Sequence, residues 1–115
     1  GNILEIDIPS GNIKRKFALS LLESETNTGT TGLTFIPESE STGYFYVANQ
    51  LNGMIYVYYF DYYNIADGDT LRLHSLFTPI VSMTDLSGLC WDAENSYLWC
   101  LYNDDSTVYR FKNQT

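Results

Sequence analysis

Apolar residues fall in short bursts along the chain, each of strand length. Ile3–Asp7, Lys14–Leu19, Gly32–Ile36, Tyr44–Asn49, Met54–Phe60, Thr70–Phe77, Gly88–Trp91, Tyr97–Tyr102 and Thr107–Lys112 each read as a strand. They are rich in β-branched and aromatic side chains and are bounded by turn chemistry. The separators Pro9–Asn12, Leu51–Gly53, Ala66–Asp69 and Asn103–Ser106 supply Gly, Asn, Asp, Ser and Pro, which accept the backbone angles of tight turns. No segment carries an apolar period of 3.6 residues. The pattern predicts an all-β chain with at least seven strands, almost no helix and antiparallel neighbours throughout. Along Met54–Phe60, Ile55, Val57 and Tyr59 point one way and Tyr56, Tyr58 and Phe60 the other. A sheet apolar on both faces needs a neighbour on each side.

The bursts repeat. Thr31–Pro37, Tyr44–Gln50 and Gly53–Tyr58 align with Ser87–Asp92, Tyr97–Asn103 and Thr107–Phe111. Gly32 and Gly88 are 56 residues apart, Tyr56 and Tyr109 are 53 apart, and Ile3 precedes Ile55 by 52. Most of the three-residue difference lies in the first turn, where Glu38–Gly43 is longer than Ala93–Ser96. Four antiparallel strands recurring at this period predict β-propeller blades. The chain divides into the end of one blade at 2–30, a complete blade at 31–84 and the start of the next at 85–115. About two blades are too few for a ring, since propellers close with roughly 4–8. Further blades are expected from the same polypeptide, or from other copies closing a ring or stacking into a fibre. A start at Gly1 and a stop within a repeat favour the longer polypeptide.

Composition narrows the partners. Fourteen acidic residues against six basic give a net charge of −8. Phosphate recognition needs a basic face, so the balance argues against nucleic acid. No run of about 18 apolar residues predicts membrane insertion. Aromatic residues make up 16% of the chain, and flat rings suit pleated, packed surfaces.

Several residues carry candidate chemistry. Cys90 and Cys100 are the only cysteines. A symmetric turn over Asp92–Leu98 would set them directly opposite one another, within reach of a disulfide. A disulfide implies an oxidising compartment, hence an extracellular, secreted or cell-surface protein, periplasmic if bacterial. The alternative is two reduced thiols packed as small apolar groups. Asn113-Gln114-Thr115 is an N-glycosylation sequon that would make the protein a glycoprotein at Asn113. In the run Tyr56–Tyr63, packing accounts for the strand residues, and Tyr62 and Tyr63, past its end, are the candidates for stacking a ligand. His74, the only histidine, reads as a surface residue on an outer strand rather than as part of a triad. Asp67–Asp69 and Asp104-Asp105 lack the spaced ligands of a calcium loop and fit turns. Lys14-Arg15-Lys16 reads as a charged guard on an edge strand. No phosphate loop, HExxH or GxSxG is present.

Thr31-Gly-Leu-Thr-Phe35, Asp85-Leu-Ser-Gly-Leu89, Tyr97–Asp104 and Ile55-Tyr-Val-Tyr58 resemble the SdiA-regulated propeller family and its relatives, the esterase-like phytase and NHL-type propellers. The resemblance covers nearly the whole chain. In such families a Glu often precedes the first Gly-Leu, where this chain has Thr31. Asp85 matches the acidic position before the second, and the resemblance implies a channel-facing cation there, with calcium as the ion. The expected function is a non-catalytic structural or protein-interaction propeller segment. Two alternatives are a propeller that binds carbohydrate or another small ligand, and a metal-dependent esterase or phytase-like hydrolase completed by further blades.

Overall fold

The computed structural model describes residues 1–20, 29–103 and 106–112. Their strands are β1 (Asn2–Ile6), β2 (Ile13–Leu19), β3 (Thr30–Pro37), β4 (Thr42–Asn49), β5 (Ile55–Asp61), β6 (Thr70–Leu71), β7 (Leu73–Phe77), β8 (Leu86–Asp92), β9 (Tyr97–Tyr102) and β10 (Thr107–Lys112). Among the described residues there is no helix. The strands form three open sheets: a first of order β1-β2-β6, a central one of order β3-β4-β5-β7, and a third of order β10-β9-β8.

The repeat seen in the sequence recurs in the strand register. The row Gly32–Ala48–Ile55 crosses the central sheet, and the row Gly88–Leu101–Val108 crosses the third. Both sheets carry an irregularity at the same place, between Thr30 and Gly32 and between Leu86 and Gly88. Matching irregularities are designed features of a strand and reinforce the equivalence.

The central sheet is covered on both faces, as its two-sided apolar pattern requires. On one face Val47, Tyr58 and Phe60 pack with Ile3, Phe17, Leu19 and Leu71 of the first sheet. Phe60 meets Phe17, Phe45 and Phe35 edge-on or steeply tilted, at ring separations of 5.5, 5.1 and 6.3 Å. This geometry sets positive ring edges against negative faces. On the other face Ala48, Ile55 and Val57 pack with Leu86, Leu98, Cys100 and Tyr102 of the third sheet. Each large side chain buried this way contributes on the order of 1.5–3 kcal/mol.

β3 and β8 bring the central and third sheets closest. A Cβ on Gly32 would lie 3.1 Å from the Cα of Gly88 and 3.2 Å from the nitrogen of Leu89. The Thr31 hydroxyl donates to the Leu86 carbonyl at 2.6 Å, and the Trp91 amide donates to Thr34 Oγ1 at 3.0 Å. The β4–β5 turn is fastened to the same seam. Asn49 Oδ1 accepts the Leu51 amide at 2.9 Å, a side chain standing in for a backbone acceptor. Gly53 then adopts φ +68°, and a Cβ there would run into the Met83 carbonyl oxygen. Glycine is required on both counts.

Three expectations are corrected. Thr70–Phe77 is two strands: β6 joins the first sheet, the chain crosses at Arg72, and β7 joins the central sheet. The β2–β6 pairing is parallel, Ala18 with Thr70 and Leu19 with Leu71, so neighbours are not antiparallel throughout. Nor does β2 lie at an edge: it sits between β1 and β6, and of the basic triplet only Lys14 and Lys16 face solvent. Arg15 turns inward because strand residues alternate. Its Nε donates to Glu5 Oε1 at 2.6 Å, and Nη1 donates to the carbonyls of Tyr62 and Ile65 at 3.1 and 2.9 Å. Its guanidinium lies 4.6 Å from the Tyr62 ring centre and 5.1 Å from that of Phe17.

Candidate functional site

The cysteines do not meet. Leu89 faces Cys100 and Cys90 faces Trp99, one residue away from the symmetric turn. The cause lies in the loop. Asp92 pairs with Tyr97 across four residues; its carboxylate accepts the Asn95 amide at 3.2 Å and the Asn95 side chain at 3.0 Å, and Ser96 takes φ +58°. A one-residue change of register moves a side chain to the opposite face. Cys100 is therefore buried against the central sheet, Cys90 is exposed on the far side, and both are free thiols. The disulfide is overturned, and with it the argument for an oxidising compartment. Burial pushes the Cys100 thiol up to about 12. A thiol reagent is expected to modify Cys90 in the folded protein and Cys100 only after denaturation, with mass spectrometry counting the adducts. Rapid labelling of both under native conditions would contradict the placement.

Asp85 sits at the seam, not in an acidic group. It has φ +61°, its amide donates to the Gln50 carbonyl at 2.8 Å, its Oδ1 accepts from the Gln50 side chain, and its carbonyl accepts the Asn103 amide at 3.1 Å. These bonds hold an unusual backbone angle and tie the β4–β5 turn to the third sheet. Among the described residues no three His, Cys, Asp or Glu side chains gather as a metal site.

Tyr62 and Tyr63 are exposed, and their rings are 5.0 Å apart at 83°. Two perpendicular rings do not make one flat platform, and Tyr62 already caps Arg15. Asn113 and Asp104-Asp105 lie outside the described residues.

A cleft that the sequence reading did not single out opens beside the central sheet. Ile36, Pro37, Glu38, Tyr44, Tyr46, Val57, His74 and Ser75 line a space of about 280 Å³. The register brings them together: Ile36 pairs with Tyr44, Tyr46 with Val57, and Val57 with Ser75. His74 stands 5.0 Å from Tyr44, ring to ring, and the Tyr44 hydroxyl donates to Glu38 Oε2 at 3.4 Å. Burial raises the Tyr44 and Tyr46 phenols, and Glu38 adds to the rise at Tyr44, so both keep their protons and can donate. The alternation Tyr44-x-Tyr46 is visible in the sequence. What it faces depends on the β5–β7 pairing, whose register shifts between Val57 and Tyr58.

Compared with known proteins, the chain matches no family model, no curated protein and no solved structure.

Proposed function

We propose that this chain is a non-catalytic, sheet-stacking interaction module, a stretch of β-propeller whose partners are further sheets of the same repeat. The observation that carries this reading is an exposed face whose repeat counterpart is buried. On the central sheet, Ala48 and Ile55 are fully buried by the third sheet. Their counterparts on the third sheet, Leu101 and Val108, are 40% and 54% exposed. Gly88, Cys90 and Trp99 complete that surface as the half-buried Gly32, Thr34 and Tyr46 complete the covered one. An apolar sheet face of this kind marks an interaction site. The occupant that fits is a sheet whose leading strand packs on Gly88 as β8 packs on Gly32. Further blades of the same polypeptide are the first candidate and other copies the second.

Sedimentation of the purified chain tests this. Association that grows with concentration is expected, and Leu101→Glu with Val108→Glu should abolish it while leaving the far-ultraviolet spectrum unchanged. A cooperatively folding monomer of 13.1 kDa that binds no hydrophobic dye would overturn the reading.

A further inference from the structure

The cleft beside β7 is lined by aromatic and polar side chains together. Tyr109 and Phe111 of the third sheet pack against the core layer that holds Ile55 and Val57, while His74 and Ser75 on β7 remain exposed. The lining combines three rings with five hydrogen-bonding side chains: Glu38, Tyr44, Tyr46, His74 and Ser75. No lysine or arginine is among them, so no fixed positive charge draws in an anion, and the chain's net charge of −8 repels one at long range. At about 280 Å³ the space lies near the lower end of small-molecule sites, which run from roughly 300 to 1,000 Å³.

We propose that this cleft binds a neutral saccharide, one pyranose ring lying against Tyr44 and Tyr46 with its hydroxyls bonded to Glu38, His74 and Ser75. A sugar ring has an apolar face of C–H groups and a rim of hydroxyls. It therefore needs aromatic walls and many hydrogen-bonding groups together, and the cleft supplies both. Glu38 and Ser75 accept, the phenols donate, and His74 does either according to its tautomer. An organic ammonium ion would use the rings and Glu38 but draw nothing from His74 and Ser75, so it is the competing occupant that the test must separate. The site is separate from the open face of the third sheet and does not depend on the stacking reading.

The test is nuclear magnetic resonance titration of the full chain with cellohexaose, maltohexaose and hexa-N-acetylchitohexaose. Saturable binding of at least one is expected at roughly millimolar dissociation constants, with shifts centred on Tyr44, Tyr46 and His74. Tyr44→Ala and His74→Ala should each weaken it about tenfold, and His74, being exposed, can be replaced without unfolding the chain. Tyr63→Ala, away from the cleft, should leave it unchanged. The proposal is overturned if none of the three sugars binds, if binding survives both cleft substitutions, or if tetramethylammonium binds there and the sugars do not. None of these results would alter the solution mass, so failure here is distinct from failure of the stacking reading.

Discussion

Gly32→Val is expected to cost about 3 kcal/mol of folding stability and to part the central sheet from the third, whereas Gly88→Val should stay within about 1 kcal/mol. The two glycines hold equivalent places in the repeat, so sequence alone treats them alike. Their surroundings differ. A Cβ on Gly32 meets backbone, the Gly88 Cα at 3.1 Å and carbon at 3.2 Å, and backbone cannot swing aside. To make room the seam must open. That weakens the Thr31–Leu86 and Trp91–Thr34 hydrogen bonds and exposes the apolar layer around Ala48 and Ile55. A Cβ on Gly88 meets only the Leu101 side chain, at 3.5 and 3.8 Å, an ordinary contact. Urea unfolding of the two variants measures the difference, and equal effects would show that the close approach does not hold the sheets together. The asymmetry also bears on the proposed function. Once a further sheet covers Gly88 as the third sheet covers Gly32, Gly88→Val should block that docking while leaving the isolated chain folded.

Much of this architecture was legible because strand signals here are local. The two-sided apolar pattern of Met54–Phe60 announced a covered sheet, and the Gly32 and Gly88 spacing announced the repeat. What was not legible depended on parity and on long-range choice. The hairpin after Asp92 has a four-residue loop fixed by Asp92 and Asn95, and one residue of difference in register separates the cysteines. In Thr70–Phe77 the apolar positions Leu71 and Leu73 look continuous, yet Leu71 is buried in the first sheet and Leu73 pairs with Tyr58 in the central one. Nothing local distinguishes them. The cleft was hidden for the same reason: Tyr44 and His74 are 30 residues apart and share a site only through the order β4-β5-β7. Arg15 was misread because a basic triplet suggests three exposed charges, while strand alternation sends the middle one inward.

That inward turn makes Arg15→Ala the other large effect, expected at about 2–4 kcal/mol at pH 7. One guanidinium joins three parts of the fold. It pairs with Glu5 on β1, lies against the rings of Phe17, Phe60 and Tyr62, and donates to two carbonyls of the segment between β5 and β6. Alanine removes all of these and leaves the Tyr62 and Ile65 carbonyls to find water. The loss has a pH signature. The Arg15 hydrogen bond holds the Glu5 carboxyl below its ordinary value of 4.5, against a smaller opposing effect of burial. A carboxyl depressed in the folded state stabilises the protein fully above its unfolded value, and that contribution is lost as the pH falls through the folded value. The stability gap between the native chain and Arg15→Ala should therefore be widest at neutral pH and narrow from about pH 5 downward. Arg15→Met, which keeps the apolar stem against Phe17 and Phe60, should recover part of the stability but none of the pH dependence. Denaturant unfolding of the three proteins from pH 3 to pH 7 separates the contributions. Parallel curves with no gap at pH 7 would mean that the guanidinium adds nothing to the fold, and that the loop from Asp61 to Asp69 is held by its turns and by its hydrogen bonds to Lys16, Ala18 and Ser41.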